Sequence, residues 1–215
     1  IDAISIEYAS NDSARYEAAV KLVSSAAPDT AIILNCKEPS AAEKAVKAVA
    51  DRKPLLYGAT NDNAETMAGI AKANKVPLSV CAQGVEALSS LTEKIKSLGV
   101  EDIVMDSGAK TAKEIIEHNT QIRRSALRKG FKPLGYPVIN FVLRDDSTFE
   151  AALASVAIAK YASIVVISSI AKWKNLALFT LRQNIYTDPQ VPMQVEQKIY
   201  KIGEPTADSP LLITT

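Results

Sequence analysis

Four polar residues stand where chemistry could be done. Asn11, Asn35, Asn61 and Asp106 each fall at or just after the end of a short, mostly apolar run. Amide and carboxyl groups placed together there match the donors and acceptors of a neutral heterocycle such as a pterin. The same residue types also cap helices and make turns, which is their commoner use. General acid–base work needs two carboxylates side by side. Asp145 and Asp146 are adjacent, so their side chains diverge, and Asp102 and Asp106 lie a strand length apart. Cys36 has no histidine near it in sequence and reads as a buried, inert thiol. His118 sits in a polar helical stretch and reads as a solvated face. The residues therefore give no catalytic set. Two cysteines and one histidine also make no metal-ligand set.

A different signal is Arg123, Arg124 and Arg128, followed by Lys129 and Lys132, with no acidic residue between them. Arg124 and Arg128 are four apart and repel by a few tenths of a kcal/mol unless something answers them. This is either a docking patch for an acidic partner or a cationic helix C-terminus that suits the helix dipole.

Seven short runs must position these residues: Ala3–Tyr8, Ala31–Asn35, Pro54–Gly58, Leu78–Ala82, Asp102–Asp106, Val138–Val142 and Ile164–Ser168. Their starts lie between 23 residues (Ala31 to Pro54) and 36 residues (Asp102 to Val138) apart. Few of the runs alternate polar with apolar, as strands buried on both faces do not. Amphipathic segments lie between them, such as Val85, Leu88, Leu91, Ile95 and Leu98. Asn11–Asp12, Ser40, Asn63 and Thr111 are candidate N-caps, and Ser40 with Glu43 has capping-box spacing. Gly99 and Gly130 are candidate helix stops. A seventh helix is expected over Lys172–Arg182.

The fold class predicted is α/β: a TIM-type (β/α) barrel with seven strands in this chain and an eighth strand upstream of Ile1. A doubly wound open sheet is the alternative, but neither G-x-G-x-x-G nor G-x-x-x-x-G-K-[ST] occurs. Residues 1–182 are predicted to form the barrel. Residues 183–215 carry Pro189, Pro192, Pro205, Pro210 and Gly203 and read as a linker, with a hairpin from Met193–Val195 and Ile199–Ile202.

The chain has 215 residues, 47% hydrophobic and 23% charged, with a formal net charge of +1. That excludes disorder and any global basic field for nucleic acid or an anionic membrane. The apolar stretch Ala151–Ala171 contains Lys160, which costs about 2.5–3.5 kcal/mol at a bilayer centre. It divides more naturally into a helix and a strand, so no membrane span is expected. Sparse cysteine and the lack of a leader-like start point to a cytoplasmic piece of a longer protein.

Two segments go further: TQIRRSALRKGFKPLGYP (120–137), and LRQNIYTDPQ (181–190) with IYKIGEPTADSPLLITT (199–215). IEYASNDSARYEAAVKLV (6–23) and DRKPLLYGATNDN (51–63) agree with them. Together they resemble the large (gamma) subunit of the corrinoid iron–sulfur protein. That protein serves the carbon monoxide dehydrogenase/acetyl-CoA synthase system, the acetyl-CoA decarbonylase/synthase of methanogens. The resemblance implies a three-part subunit: a four-cysteine domain with a four-iron four-sulfur cluster, a central TIM barrel, and a carboxy-terminal corrinoid domain. It implies a small-subunit partner, and cobalt carrying a methyl group from a methyl-pterin methyltransferase to acetyl-CoA synthase. This chain matches the central barrel. It is expected to be a scaffold and docking domain that holds neither cobalamin nor cluster and is not catalytic by itself. The competing reading is a pterin-dependent methyltransferase barrel binding a methyl-tetrahydropterin through Asn11, Asn35 and Asp106.

Overall fold

A computed structural model describes residues 2–186 together with Ile199, Lys201, Glu204 and Thr206. Strands and helices alternate: β1 (Ala3–Glu7), α1 (Ser13–Ala26), β2 (Ala31–Asn35), α2 (Pro39–Ala48), β3 (Leu55–Ala59), α3 (Ala64–Asn74) and β4 (Leu78–Cys81). They continue with α4 (Val85–Ser97), β5 (Ile103–Asp106), α5 (Ala112–Arg128), β6 (Ile139–Phe141), α6 (Ser147–Ala159), β7 (Ile164–Val166) and α7 (Lys172–Tyr186). A short 3-10 turn, Lys132–Leu134, links α5 to β6.

Every ladder is parallel, and neighbours in sequence are neighbours in space. β1 to β5 form one sheet in that order, β6 pairs with β7, and a parallel bridge from Met105 to Val138 joins β5 to β6. A doubly wound sheet reverses its strand order midway; this series does not. Its two faces are also covered differently. The outward face packs on the helices, in a large cluster that includes Val20, Leu34, Leu56, Met67, Leu88 and Ile95. A smaller cluster joins α5, α6 and α7 to β7 and to Val142, just after β6, through residues such as Ile115, Leu153 and Leu178. The inward face holds Ile33, Leu55, Tyr57, Val104, Ile139 and Phe141 against Ala3, Cys81, Ile164 and Val166, with no helix residue among them. All seven strands contribute to it. Strand side chains can cover one another in this way only if the sheet curls round on itself, which is the interior of a (β/α) barrel. The two ends of the series meet as well: Arg182 Nη1 of α7 lies 2.8 Å from Asp2 Oδ2, just before β1. Among the described residues no ladder joins β7 to β1.

Local chemistry sets the element starts. Asp12 caps α1, accepting from the N–H groups of Ala14 and Arg15. At α2 the expected Ser40–Glu43 box does not form. Pro39 takes the first helical position, where its missing N–H costs nothing, so the helix starts earlier with Glu38 as its cap. Glu43 instead meets Lys47 at 2.6 Å. The capping box lies at Thr111 and Glu114. Asn63 heads α3 without capping it. Its amide accepts from Thr60 N–H at 2.7 Å and donates to Lys37 O at 2.9 Å, tying two strand-end loops together.

Gly58 makes the β3 end possible. The β3–β4 register slips between Tyr57 and Ala59, Gly58 has φ 126°, and a Cβ there would sit 2.8 Å from Cys36 O.

The stretch 151–171 divides into α6 and β7, as expected, and no helix among the described residues is long and apolar enough to cross a membrane. Helix α7 runs on to Tyr186. The hairpin expected at Met193–Val195 and Ile199–Ile202 lies outside the described residues, save Ile199.

Candidate functional site

In an α/β barrel the loops after the strands form the working face. Side chains two apart on a strand share a face. Because Ile33 faces the interior, Asn35 does too, and it stands in register with Tyr57 on β3 and Glu7 on β1. Asp106 follows Val104 by two and stands opposite Cys81. The upper inward layer therefore contains Glu7, Asn35, Tyr57, Cys81, Asp106 and Phe141.

Asp106 is 4% exposed. Its Oδ2 accepts from the Tyr57 hydroxyl at 2.5 Å and its Oδ1 from the Gly108 N–H at 2.8 Å. The Tyr57 ring packs against Phe141 with centroids 4.6 Å apart. Burial, with the nearby Cys81 and Asp106 adding to it, pushes the Tyr57 hydroxyl well above its ordinary range, so it stays a donor. Burial, reinforced by the Asp106 charge, pushes the Cys81 thiol up to about 12. Gln83 lies so close over Gly108 that a Cβ there would meet its side-chain amide at 2.5 Å. Asp106 is thus fixed on both oxygens by the protein itself.

Of the four residues singled out in the sequence, two face the barrel interior: Asn35, half-buried, and Asp106, buried. Asn11 and Asn61 are exposed loop residues, and Asn11 has φ 54°. His118 is not a freely solvated side chain. It is half-buried, with Nδ1 3.1 Å from the Oγ of the buried Ser107.

The arginines part company. Arg123 stacks over the Tyr161 ring, 5.3 Å from its centroid. Arg124 and Arg128 are exposed and make no ion pair among the described residues. Beside them a cavity of about 300 Å³ opens between α4, α5 and the Lys132–Leu134 turn. On α7, Trp173 is 52% exposed and Phe179 carries Arg182 at 5.0 Å.

One cluster escaped the sequence altogether. Glu150 of α6 and Lys174 of α7 are both fully buried, 2.5 Å apart. Glu150 also accepts from Ser168 N–H at 2.6 Å, and Lys174 donates to Ser169 Oγ at 2.9 Å. Glu150 sits in the apolar run FEAALASVAIA, where a first-turn carboxylate reads as serving the helix dipole. A single charged residue in an otherwise uncharged helix was the signal available; its partner 24 residues on was not.

A four-iron cluster takes four thiolates, and this chain has two cysteines. Burial pushes both the Cys36 and the Cys81 thiol up, away from the thiolate a metal needs. Among the described residues no three His, Cys, Asp or Glu side chains gather as a metal site. The residues present do not fit a cluster, and the one imidazole is engaged with Ser107 rather than offered as an axial ligand.

Two solved structures share the fold. A Mycobacterium tuberculosis protein, Rv1207, superposes with a TM-score of 0.63 at 18% identity, over 87% of this chain and 83% of that one. A 3-hexulose-6-phosphate synthase gives 0.51 at 19% identity, over 85% and 86%. Among curated sequences, the corrinoid/iron-sulfur protein large subunit of Moorella thermoacetica is 42% identical over 215 residues, all of this chain and 48% of that protein. The acetyl-CoA decarbonylase/synthase complex subunit gamma of Methanosarcina acetivorans is 33% identical over 230 aligned positions, again covering 48% of the relative. The chain thus spans about half the length of the curated relatives it matches. Residues 1–215 match throughout the family described as the CO dehydrogenase/acetyl-CoA synthase delta subunit, and the chain belongs to that family.

Proposed function

We propose that this chain is the scaffold and docking barrel of a corrinoid methyl-carrier subunit. In that subunit, cobalt carries a methyl group from a methyl-pterin methyltransferase to acetyl-CoA synthase. The corrinoid and the four-iron four-sulfur cluster are then held by parts of the protein outside these residues and by the small subunit. An eighth strand preceding Ile1 completes the barrel, residues 1–182 are its body, and 183–215 lead toward the corrinoid domain. The barrel binds no nucleic acid or membrane and works in the cytoplasm. Arg123, Arg124 and Arg128 belong to its docking surface. Kinship with corrinoid-protein subunits supports this reading. The observation that carries it is Asp106: it is 4% exposed and each of its oxygens already accepts a bond from the protein, from Tyr57 and from Gly108, so this carboxylate serves the barrel's own interior.

The second reading is a barrel that binds methyl-tetrahydropterin itself, favoured by Asn35 and Asp106 sharing the inward face. Calorimetric titration of the chain with a methyl-tetrahydropterin decides between them. A scaffold gives no saturable heat. Saturable binding that disappears in Asn35→Ala makes the barrel mouth a pterin site. Gel filtration after mixing with a corrinoid tests the remaining part: a corrinoid spectrum that stays with the chain would make the barrel the carrier.

A further inference from the structure

Gln121 and Ser125 of α5 and its C-cap residue Lys129 are spaced four apart and so lie along one face, and all three line the cavity beside α4. Arg124 and Arg128 stand three residues on from Gln121 and Ser125, which places them on the adjoining stripe of the helix, outside the residues that line the cavity. The floor is apolar: Val85 and Leu134 are buried and Phe131 is left 40% exposed. The single carboxylate lining it, Glu86, is held by the Gln121 amide at 3.4 Å on the α4 wall. The lining therefore carries one cation, Lys129, one anion, Glu86, and an exposed aromatic ring, while Arg124 and Arg128 continue the cationic stripe outside it.

Arg124, Arg128 and Lys129 have no carboxylate partner among the described residues. Their charges repel one another along the helix unless an outside anion answers them. Arg124 and Arg128 alone are about 6 Å apart along the axis, at 1.5 Å per residue. A segment that offers several carboxylates together with an apolar side chain answers both the unpaired cations and the exposed Phe131 ring; a small inorganic anion answers only the charge. The chain's net charge of +1 gives no wider basic field of the sort a phosphate backbone uses. We infer that this groove docks an acidic polypeptide segment of a partner protein. The segment sets one apolar side chain on Phe131 and turns its carboxylates toward Arg124, Arg128 and Lys129. Glu86 fixes the orientation by repelling acidic residues from the α4 side. The inference rests on the docking part of the proposal above and names the chemistry of one of its partners.

The probe is a fluorescein-labelled dodecapeptide of glutamates with one central leucine, titrated into the 215-residue chain at low salt and read by anisotropy. A second peptide has glycine in place of the leucine. The leucine peptide is expected to bind more tightly, and its affinity to fall as salt rises. Arg124→Glu with Arg128→Glu should weaken both peptides about ten-fold or more, since like charges then face the segment. Phe131→Ala should weaken the leucine peptide and leave the glycine peptide unchanged. Amide shift changes in the chain should cluster at Val85, Gln121, Lys129 and Leu134. Equal affinity of the two peptides, indifference to Phe131→Ala, or shifts elsewhere on the barrel would each overturn the inference. Thermal melts of the variants matching the parent assign the losses to the groove. Pterin binding at the mouth would sink the scaffold reading and leave this result standing, so the two failures are separable.

Discussion

Lys174 of α7 lies 2.5 Å from Glu150 of α6, both side chains fully buried, and the pair binds the loop after β7 through Ser168 and Ser169. It pins the last described helix to the barrel. Removing one partner strands the other charge in a dry site. Lys174→Met is therefore expected to cost about 3–5 kcal/mol in urea unfolding. Glu150→Gln combined with Lys174→Met should recover most of that, because the amide still accepts from Ser168 and no charge is left alone. A single variant losing under about 0.5 kcal/mol would show that the pair is not buried in solution.

The same carboxylate sets an acid limit. Burial alone would raise its pKa. The bonds from Lys174 and Ser168 outweigh it and hold Glu150 below the usual carboxylate range. A lowered folded-state pKa adds stability above the unfolded value, about 4.3, and that stability is lost as pH falls through the folded value. The melting temperature of the parent should drop on acidification below about pH 4.3 more steeply than that of Glu150→Gln. Parallel curves would remove Glu150 as the source.

At the mouth, Tyr57→Phe keeps the ring against Phe141 but takes away the hydroxyl donated to Asp106. A buried acceptor losing one partner costs about 1–3 kcal/mol. Asp106→Asn in the same background should return part of the loss, since it removes the charge that lacks its donor. No change in urea midpoint for Tyr57→Phe would mean that water reaches Asp106.

Cys81 is predicted to be inert in the folded chain. Its thiol is pushed up to about 12, by burial first and then by the Asp106 charge, so almost none is thiolate at pH 8. Burial raises Cys36 as well. Iodoacetamide at pH 8, followed by mass spectrometry, should label neither cysteine in the native chain and both in urea. Fast native labelling at Cys81 would show an open mouth.

Gly58→Ala should destabilise without touching any polar partner. Its φ of 126° and the 2.8 Å approach to Cys36 O admit no Cβ. About 1–3 kcal/mol of backbone strain is expected, read as a lowered urea midpoint. An unchanged midpoint would mean that the β3 end relaxes freely.

The sequence by itself determined the alternation of strands and helices, the parallel sheet and the family. Apolar period and turn chemistry act over a few residues, so runs such as Ala31–Asn35 and stops such as Gly99 are written where they act. Even there, Pro39 moved the start of α2 away from Ser40, because the first position of a helix suits proline better than serine. What only the tertiary structure decided are pairings across long sequence gaps. Tyr57 meets Asp106 across 49 residues and Glu150 meets Lys174 across 24, and neither partner carries a mark of the other. Strand alternation could show that Asn35 and Asp106 face one way; only the curl of the sheet made that way the inside of a barrel. It also left Asn11 and Asn61 outside, in loops where a polar side chain is free to face water. The cationic run on α5 was legible as charge, but its division was not. Arg123 turns to Tyr161, Lys129 lines a groove, and Arg124 and Arg128 stay exposed, because a helix deals successive residues to different faces and the neighbours decide what each face meets.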